Sequence, residues 1–139
     1  GEDLGVVPPG MRQRLAARGI LGIEVLSVGK GEASLRMQIR PDLFAPNGYL
    51  HAAAIVGLAD SACGYGTRFS LPEGAQGFTT VELKSNFTGA AREGTLTCQA
   101  WGRHMGRRTQ MWDANVFHVE RDRAIAYFRC TQMILFDEA

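Results

Sequence analysis

The segment from His51 to Thr67, HAAAIVGLADSACGYGT, constrains this chain more than any other stretch. From Ala52 onward it is almost wholly apolar or small, and it runs too long for a strand. The pattern predicts a helix over 52–69. A helix apolar nearly all round is expected to be buried all round, so other elements must wrap it. In its middle stands one acid, Asp60. An ionised carboxylate removed from water is costly unless paired or hydrogen-bonded, and otherwise its pKa rises.

The flanking sequence supplies the wrapping. Residues 20–28 and 33–39 alternate apolar and polar around Gly29-Lys30-Gly31, which predicts a β-hairpin. The stretch PDLFAPNGYL, with two prolines and an Asn-Gly, reads as a loop. After the helix come four runs rich in β-branched and aromatic residues, roughly 77–88, 94–104, 108–119 and 123–135, separated by turn-forming clusters. Hairpin, long buried helix, then four strands implies an α+β arrangement: an antiparallel sheet of about six strands around one central helix. Ahead of it, VPPGMRQRLAARGI reads as a short helix with prolines at its start and Gly19 as its stop, an extension over residues 1–19. No repeat, low-complexity tract or linker marks a second domain, so residues 1–139 are expected to form one.

Charge and cysteines narrow the function classes. The formal net charge of +1 lacks the basic excess of a general nucleic-acid binder. Cys63, Cys98 and Cys130 are odd in number and widely spaced, which suits neither a disulfide framework nor a metal site. They read as core thiols in a reducing cytoplasm. No basic region followed by an apolar run opens the chain, so no signal peptide is expected. The longest apolar run is too short and too interrupted to span a bilayer, so a soluble protein is expected, with no membrane partner.

Asp60 has two readings. It is a carboxylate at a less apolar helix edge, paired with Arg68 or another base, or it is a general base or nucleophile in an apolar site. His51 caps the helix or faces solvent, yet the backbone N–H groups after it, beginning with Ala52, have no intrahelical partners. There the helix dipole favours negative charge, and such a position can stabilise an oxyanion. Asp60 lies eight residues beyond Ala52, roughly 12 Å along one helix. A base and an oxyanion donor should each lie about 3 Å from the same reacting group. If both act, two antiparallel helices from two subunits must bring Asp60 of one to Ala52 of the other, which requires a homodimer with two equivalent sites.

The stretches PNGYLHAAAIVGLADSACGYG, TTVELKSNF and GRRTQMWDANVF together resemble the hotdog-fold acyl-CoA thioesterases, over roughly residues 20 to 136. The nearest group is the PaaI-like and 4-hydroxybenzoyl-CoA thioesterases. The resemblance implies the hotdog fold, an acyl-CoA substrate with coenzyme A as part of it and no separate cofactor, and dimers that commonly pair into homotetramers. It also implies that Asp60 activates water or attacks the thioester carbonyl, with the Ala52 N–H aimed at the thioester oxygen. By the same resemblance Thr80 and Glu82 lie on the strand beside pantetheine and acyl groups, with Phe87 near its end. Arg107 and Arg108, beside Gly106, fall where the family places basic groups for nucleotide phosphates, a task suited to the guanidinium fork. As bare sequence, the same pair reads equally as a solvated turn.

The chain departs from the family pattern in three places. His51-Ala52-Ala53 replaces the usual His-Gly-Gly, which keeps a backbone N–H. Ala45 stands where Asn or Gln orients substrate or water, with Asn47 two residues later as a substitute. Gly64 stands one turn beyond the acid, where some members carry a hydroxyl, while Ser61 adjoins Asp60 and could position water. These changes imply slow turnover or an unusual substrate. The alternative is a non-catalytic acyl-CoA or small-ligand binding protein on the same fold. A dehydratase fits less well, because an acid nine residues after the histidine is the thioesterase arrangement. Phe44, Tyr49, Tyr65 and Phe69 could line an aromatic pocket and serve equally well as core.

Overall fold

A computed structural model describes residues 21–40, 43, 46, 48 and 52–137. The expected N-terminal helix, His51, Asn47, Ala45, Phe44 and Tyr49 lie outside the described residues. Strands β1 (Ile23–Gly29) and β2 (Glu32–Gln38) form the hairpin, turning through Lys30 and Gly31, with Gly31 at φ 79°. Only glycine adopts that left-handed conformation without steric cost. Helix α1 spans Ala52–Phe69, with the bounds its composition predicts. Strands β3 (Ala75–Phe87), β4 (Thr95–Met105), β5 (Thr109–His118) and β6 (Arg123–Phe136) follow.

The six strands make one sheet in the order β1-β2-β4-β5-β6-β3, every pair antiparallel. The chain leaves the helix for the far edge, pairs β3 with β6, and then returns to the middle of the sheet. Strand β5 shows the clearest alternation: Gln110, Trp112, Ala114, Val116 and His118 are all buried, and the residues between them are half-exposed. This inner face carries the core. Leu35, Met37, Leu96, Trp112 and Val116 pack there around Leu58, Ala62 and Cys63 of the helix. Among the described residues no helix is long and apolar enough to cross a membrane.

The expectation of a helix buried on every side needs correction. Ala52 and Ala53 are exposed, and Val56, Gly57, Asp60, Gly64 and Arg68 are only half-buried. Their spacing of three and four residues puts them on one face. The sheet curls over the opposite face, so within one chain this stripe stays partly open.

Trp112 fixes how closely the helix approaches the sheet. A Cβ built on Gly66 would collide with the indole, three of whose ring carbons lie within 3.2 Å. The indole N–H donates to Gln110 Oε1 at 2.8 Å, and Gln110 Nε2 donates to the carbonyl of Ser70 at 3.1 Å, just beyond the helix end. From the hairpin turn, the Gly31 N–H donates to Ser70 Oγ at 2.7 Å. These bonds satisfy polar groups that burial would otherwise make costly, and they fix the axial position of α1.

Candidate active site

Asp60 is the only acid in α1, and it lies on the half-open stripe with Gly57 before it and Gly64 after it. Val56 shares that face, while Gly57 and Gly64 leave it without side chains three residues before and four residues after the carboxylate. One turn on and buried, the Cys63 thiol is held well above its ordinary range. A hydrogen bond with Cys130 contributes most, then burial, with the charges of Cys130, Cys98 and Asp60 adding to it. Burial pushes the Cys98 thiol up to about 12. Neither supplies a thiolate near neutral pH, so neither is the reactive nucleophile beside Asp60. Cys130 is likewise buried.

The other residues expected near the carboxylate divide. Ala52 opens the helix, is exposed, and has no acid beside it in the first turn. Ser61 is buried, and its hydroxyl donates back to the carbonyl of Gly57 at 2.6 Å. Its proton is therefore directed to its own helix, which leaves the oxygen as an acceptor. Tyr65 also belongs to the core rather than to an open pocket, and Phe69 packs against that core.

Strand β3 presents the largest surprise. Residues 80 and 82 would share a face in a regular strand. A bulge at Val81 intervenes, so Thr80 pairs with Gln132 while Glu82 pairs with Thr131. Thr80 thus faces the helix side and donates to Gln132 Oε1 at 2.6 Å. Glu82 turns to the outer face and accepts from Thr131 Oγ1 at 3.2 Å. The structure does not bring these two together. Past the bulge, Leu83, Ser85 and Phe87 take the inner face, opposite Cys130, Phe128 and Ala126. Val81, Leu83 and Phe87 are 52%, 47% and 46% exposed, and the Ser85 hydroxyl is buried with no partner among the described residues.

Arg107 and Arg108 occupy the β4–β5 turn, at the end of the sheet where the helix finishes. The Arg107 guanidinium lies 4.3 Å above the Phe136 ring and donates to the carbonyl of Glu73 at 3.2 Å. Arg108 is exposed, and its carbonyl accepts from the Ile134 N–H at 2.9 Å. An exposed arginine stacked on an aromatic ring keeps N–H groups for an anion. Among the described residues no cluster of His, Cys, Asp or Glu could hold a metal ion.

Sequence reasoning missed Gln132. It is fully buried, accepts from Thr80 and donates to Thr67 Oγ1 at 3.3 Å, which ties β3 to the helix through its own side chain. The signal was available: Gln132 falls in phase with the inward positions Phe128, Cys130 and Ile134 of β6. A polar residue at a core phase position marks a buried hydrogen-bond network.

Comparison with known proteins fits this geometry. The family model described as the thioesterase superfamily matches residues 47–125. The 1,4-dihydroxy-2-naphthoyl-CoA hydrolase of Listeria monocytogenes is 31% identical over 111 residues, covering 80% of this chain and 89% of that protein. The acyl-coenzyme A thioesterase PaaI of Escherichia coli is 28% identical over 110 residues, covering 78% of this chain and 75% of that protein. Its solved structure aligns at 22% identity with a TM-score of 0.82, over 91% of this chain and 88% of that one, a likeness of fold. A thioesterase family protein from Silicibacter pomeroyi aligns with a TM-score of 0.79 at 30% identity, over 91% of this chain and 96% of that one.

Proposed function

The chain belongs to the thioesterase superfamily and has its hotdog fold, and on that premise we propose that it hydrolyses acyl-CoA thioesters with Asp60 as the group that drives the chemistry. The observation that carries this reading is the position of Asp60: the one acid of the helix, on its one incompletely covered face, between two residues without side chains. Asp60 takes a proton from water attacking the thioester carbonyl, or attacks that carbon directly. In the first route the carbon–sulfur bond then breaks, the proton held by Asp60 passes to the leaving thiolate, and the acid and coenzyme A are released. In the second the thiolate leaves an acyl–Asp60 anhydride and takes a proton from solvent, and water then hydrolyses the anhydride to the acid and the free carboxylate. Negative charge developing on the carbonyl oxygen is met by the Ala52 N–H, where orphan amides and the helix dipole favour an anion. The relatives named for naphthoyl-CoA and acyl-CoA hydrolysis support coenzyme A esters as the substrate class.

Because about 12 Å separates Asp60 from Ala52 along one helix, the site is completed by a second copy of the chain. The edge strand β3 supports this. It runs 13 residues, exposes Val81, Leu83 and Phe87, and among the described residues has no strand paired to its outer edge. Such an edge invites strand addition. Two copies joined there make one continuous sheet and turn the open stripes of both helices toward each other. Exposed Tyr127, Met133 and Leu135 on the outer face offer a surface through which two dimers pair into a tetramer. Arg107 and Arg108 hold the nucleotide phosphates, and Thr80 and Phe87 line the approach along the inner face of β3, with Glu82 on the outer face of the same strand. His51 and Asn47, outside the described residues, are retained as catalytic candidates from the family resemblance.

Free-thiol release from a panel of aromatic, short and long acyl-CoAs tests the reading, with Asp60→Asn alongside. Turnover that falls at least about a hundredfold while coenzyme A ester binding persists is expected. Unchanged turnover in the variant would remove Asp60 from the mechanism.

A further inference from the structure

Strand β3 carries one polar group that the fold does not use. Ser85 sits on its inner face between Leu83 and Phe87, opposite Phe128 of β6. Its hydroxyl oxygen is buried, yet it has no hydrogen-bond partner among the described residues. A buried hydroxyl without a partner is unfavourable, and an apolar residue in its place would carry no such cost. A group of this kind calls for a partner from outside the fold.

Contacts between helix and sheet place this hydroxyl relative to Asp60. Thr67 meets Gln132, whose Nε2 lies 3.3 Å from its Oγ1, and Cys63 meets Cys130 through a hydrogen bond between the thiols. Four residues of helix, about 6 Å, thus match two residues of strand, about 7 Å. One more step the same way brings Ala59 and Asp60 to the level of Phe128, and therefore of Ser85. Direction agrees with level. Thr67 looks to β6, and a Cβ built on Gly64 would look to Phe78 of β3 at 3.7 Å. Asp60 precedes these two by seven and four residues, so it shares their face and turns toward the β6–β3 side of the sheet. Carboxylate and hydroxyl therefore flank the same space, one from the helix and one from the edge strand.

We propose that Ser85 is a further catalytic residue, whose hydroxyl holds the attacking water against Asp60. This rests on the reading of Asp60 as the base. The water gives one proton to the Asp60 carboxylate and donates its other hydrogen to Ser85 Oγ, which accepts with a lone pair. Fixed at both hydrogens, the water oxygen aims a lone pair at the thioester carbonyl carbon and bonds to it. The carbon–sulfur bond breaks, the proton on Asp60 passes to the thiolate of coenzyme A, and the second water proton leaves with the acid.

The shape-matched variants Ser85→Thr and Ser85→Val, which differ by one hydroxyl, test this beside Ser85→Ala in the intact oligomer, with hexanoyl-CoA as substrate. Ser85→Thr is expected to keep kcat within about threefold of wild type, whereas Ser85→Val and Ser85→Ala should lose about tenfold or more with KM changed less than about twofold. Hydroxylamine, a stronger nucleophile that needs no held water, gives a readout that a structural defect would not move. After subtraction of the uncatalysed reaction it should restore thiol release in Ser85→Val, with the hexanoyl group recovered as hydroxamate instead of acid. Equal kcat in Ser85→Thr and Ser85→Val, or a loss that hydroxylamine leaves in place, would overturn the role of Ser85; with Asp60→Asn inactive, the thioesterase reading would stand. Dissociation by Ser85→Val and not by Ser85→Thr would also overturn it, since the hydroxyl would then serve the subunit interface. Full turnover in Asp60→Asn would overturn both.

Discussion

The same substitution two residues apart in one helix should act with opposite sign. At Gly66 an added Cβ meets the Trp112 ring, with three ring carbons inside 3.2 Å. Carbon–carbon contacts settle near 3.5–4.0 Å, so the ring or helix must move by roughly 1 Å. Trp112 is fully buried, so no open space receives it. Overpacking of this kind costs about 1–3 kcal/mol. Moving the indole also strains its bond to Gln110, worth about 1 kcal/mol, whereas alanine returns about 1 kcal/mol of helix propensity. Gly66→Ala is thus expected to destabilise by about 1–3 kcal/mol. At Gly64 the nearest atom is 3.7 Å away, nothing need move, and alanine should stabilise by about 0.5–1 kcal/mol. Urea denaturation at one fixed protomer concentration measures both, with unchanged m-values as the control. Shifts of the same sign would refute the claim that helix–sheet approach at Trp112, rather than glycine content, sets the cost.

Three further outcomes follow from named contacts. Leu83→Lys places a charge on the exposed inner edge of β3 and should convert the assembly to monomers in light scattering at micromolar concentration, with activity lost; a wild-type monomer that turns over would defeat the shared site. Glu120 accepts the Thr95 N–H at 2.8 Å, and this bond holds its carboxyl below the ordinary value of 4.5. Its contribution to stability is therefore present above that value and lost as pH falls through the lowered one, so the Tm gap between wild type and Glu120→Gln should close between neutral pH and acid. A gap that widens on acidification would contradict it. Arg107→Ala should raise KM for coenzyme A esters more than for short thioesters lacking the nucleotide, and equal effects would sink the phosphate assignment.

Much of the fold was legible because its signals are local. Helix 52–69 is long, apolar and free of proline, and the runs after it are rich in β-branched and aromatic residues between turn-forming clusters, so length, composition and punctuation fix element type. Strand order is not local. Nothing in the pattern of residues 75–87 says that the strand crosses to the far edge and, among the described strands, pairs with β6 alone. The bulge at Val81 is also silent in the pattern, and it separates Thr80 from Glu82 by turning one to each face. Burial of the helix was overread because apolar composition shows what a face can bury, not whether its own chain covers it. Asp60 stood out as a candidate because a lone carboxylate in an apolar helix has few structural uses. Gln110 and Gln132 escaped notice because a glutamine reads as solvent-facing unless its phase is compared with the core positions beside it.

The shared site is tested most directly by mixing two inactive variants. Asp60→Asn removes the acid, and Ala52→Pro removes the N–H at the first helical position, where proline is tolerated. If each site takes Asp60 from one subunit and the Ala52 amide from the other, a mixed dimer holds one intact site and one doubly impaired site. Random pairing of equal amounts should then restore about a quarter of wild-type thiol release, against near-zero for either variant alone. Mixtures no more active than the separate variants, with subunit exchange verified, would place both groups within one chain and contradict the interfacial site.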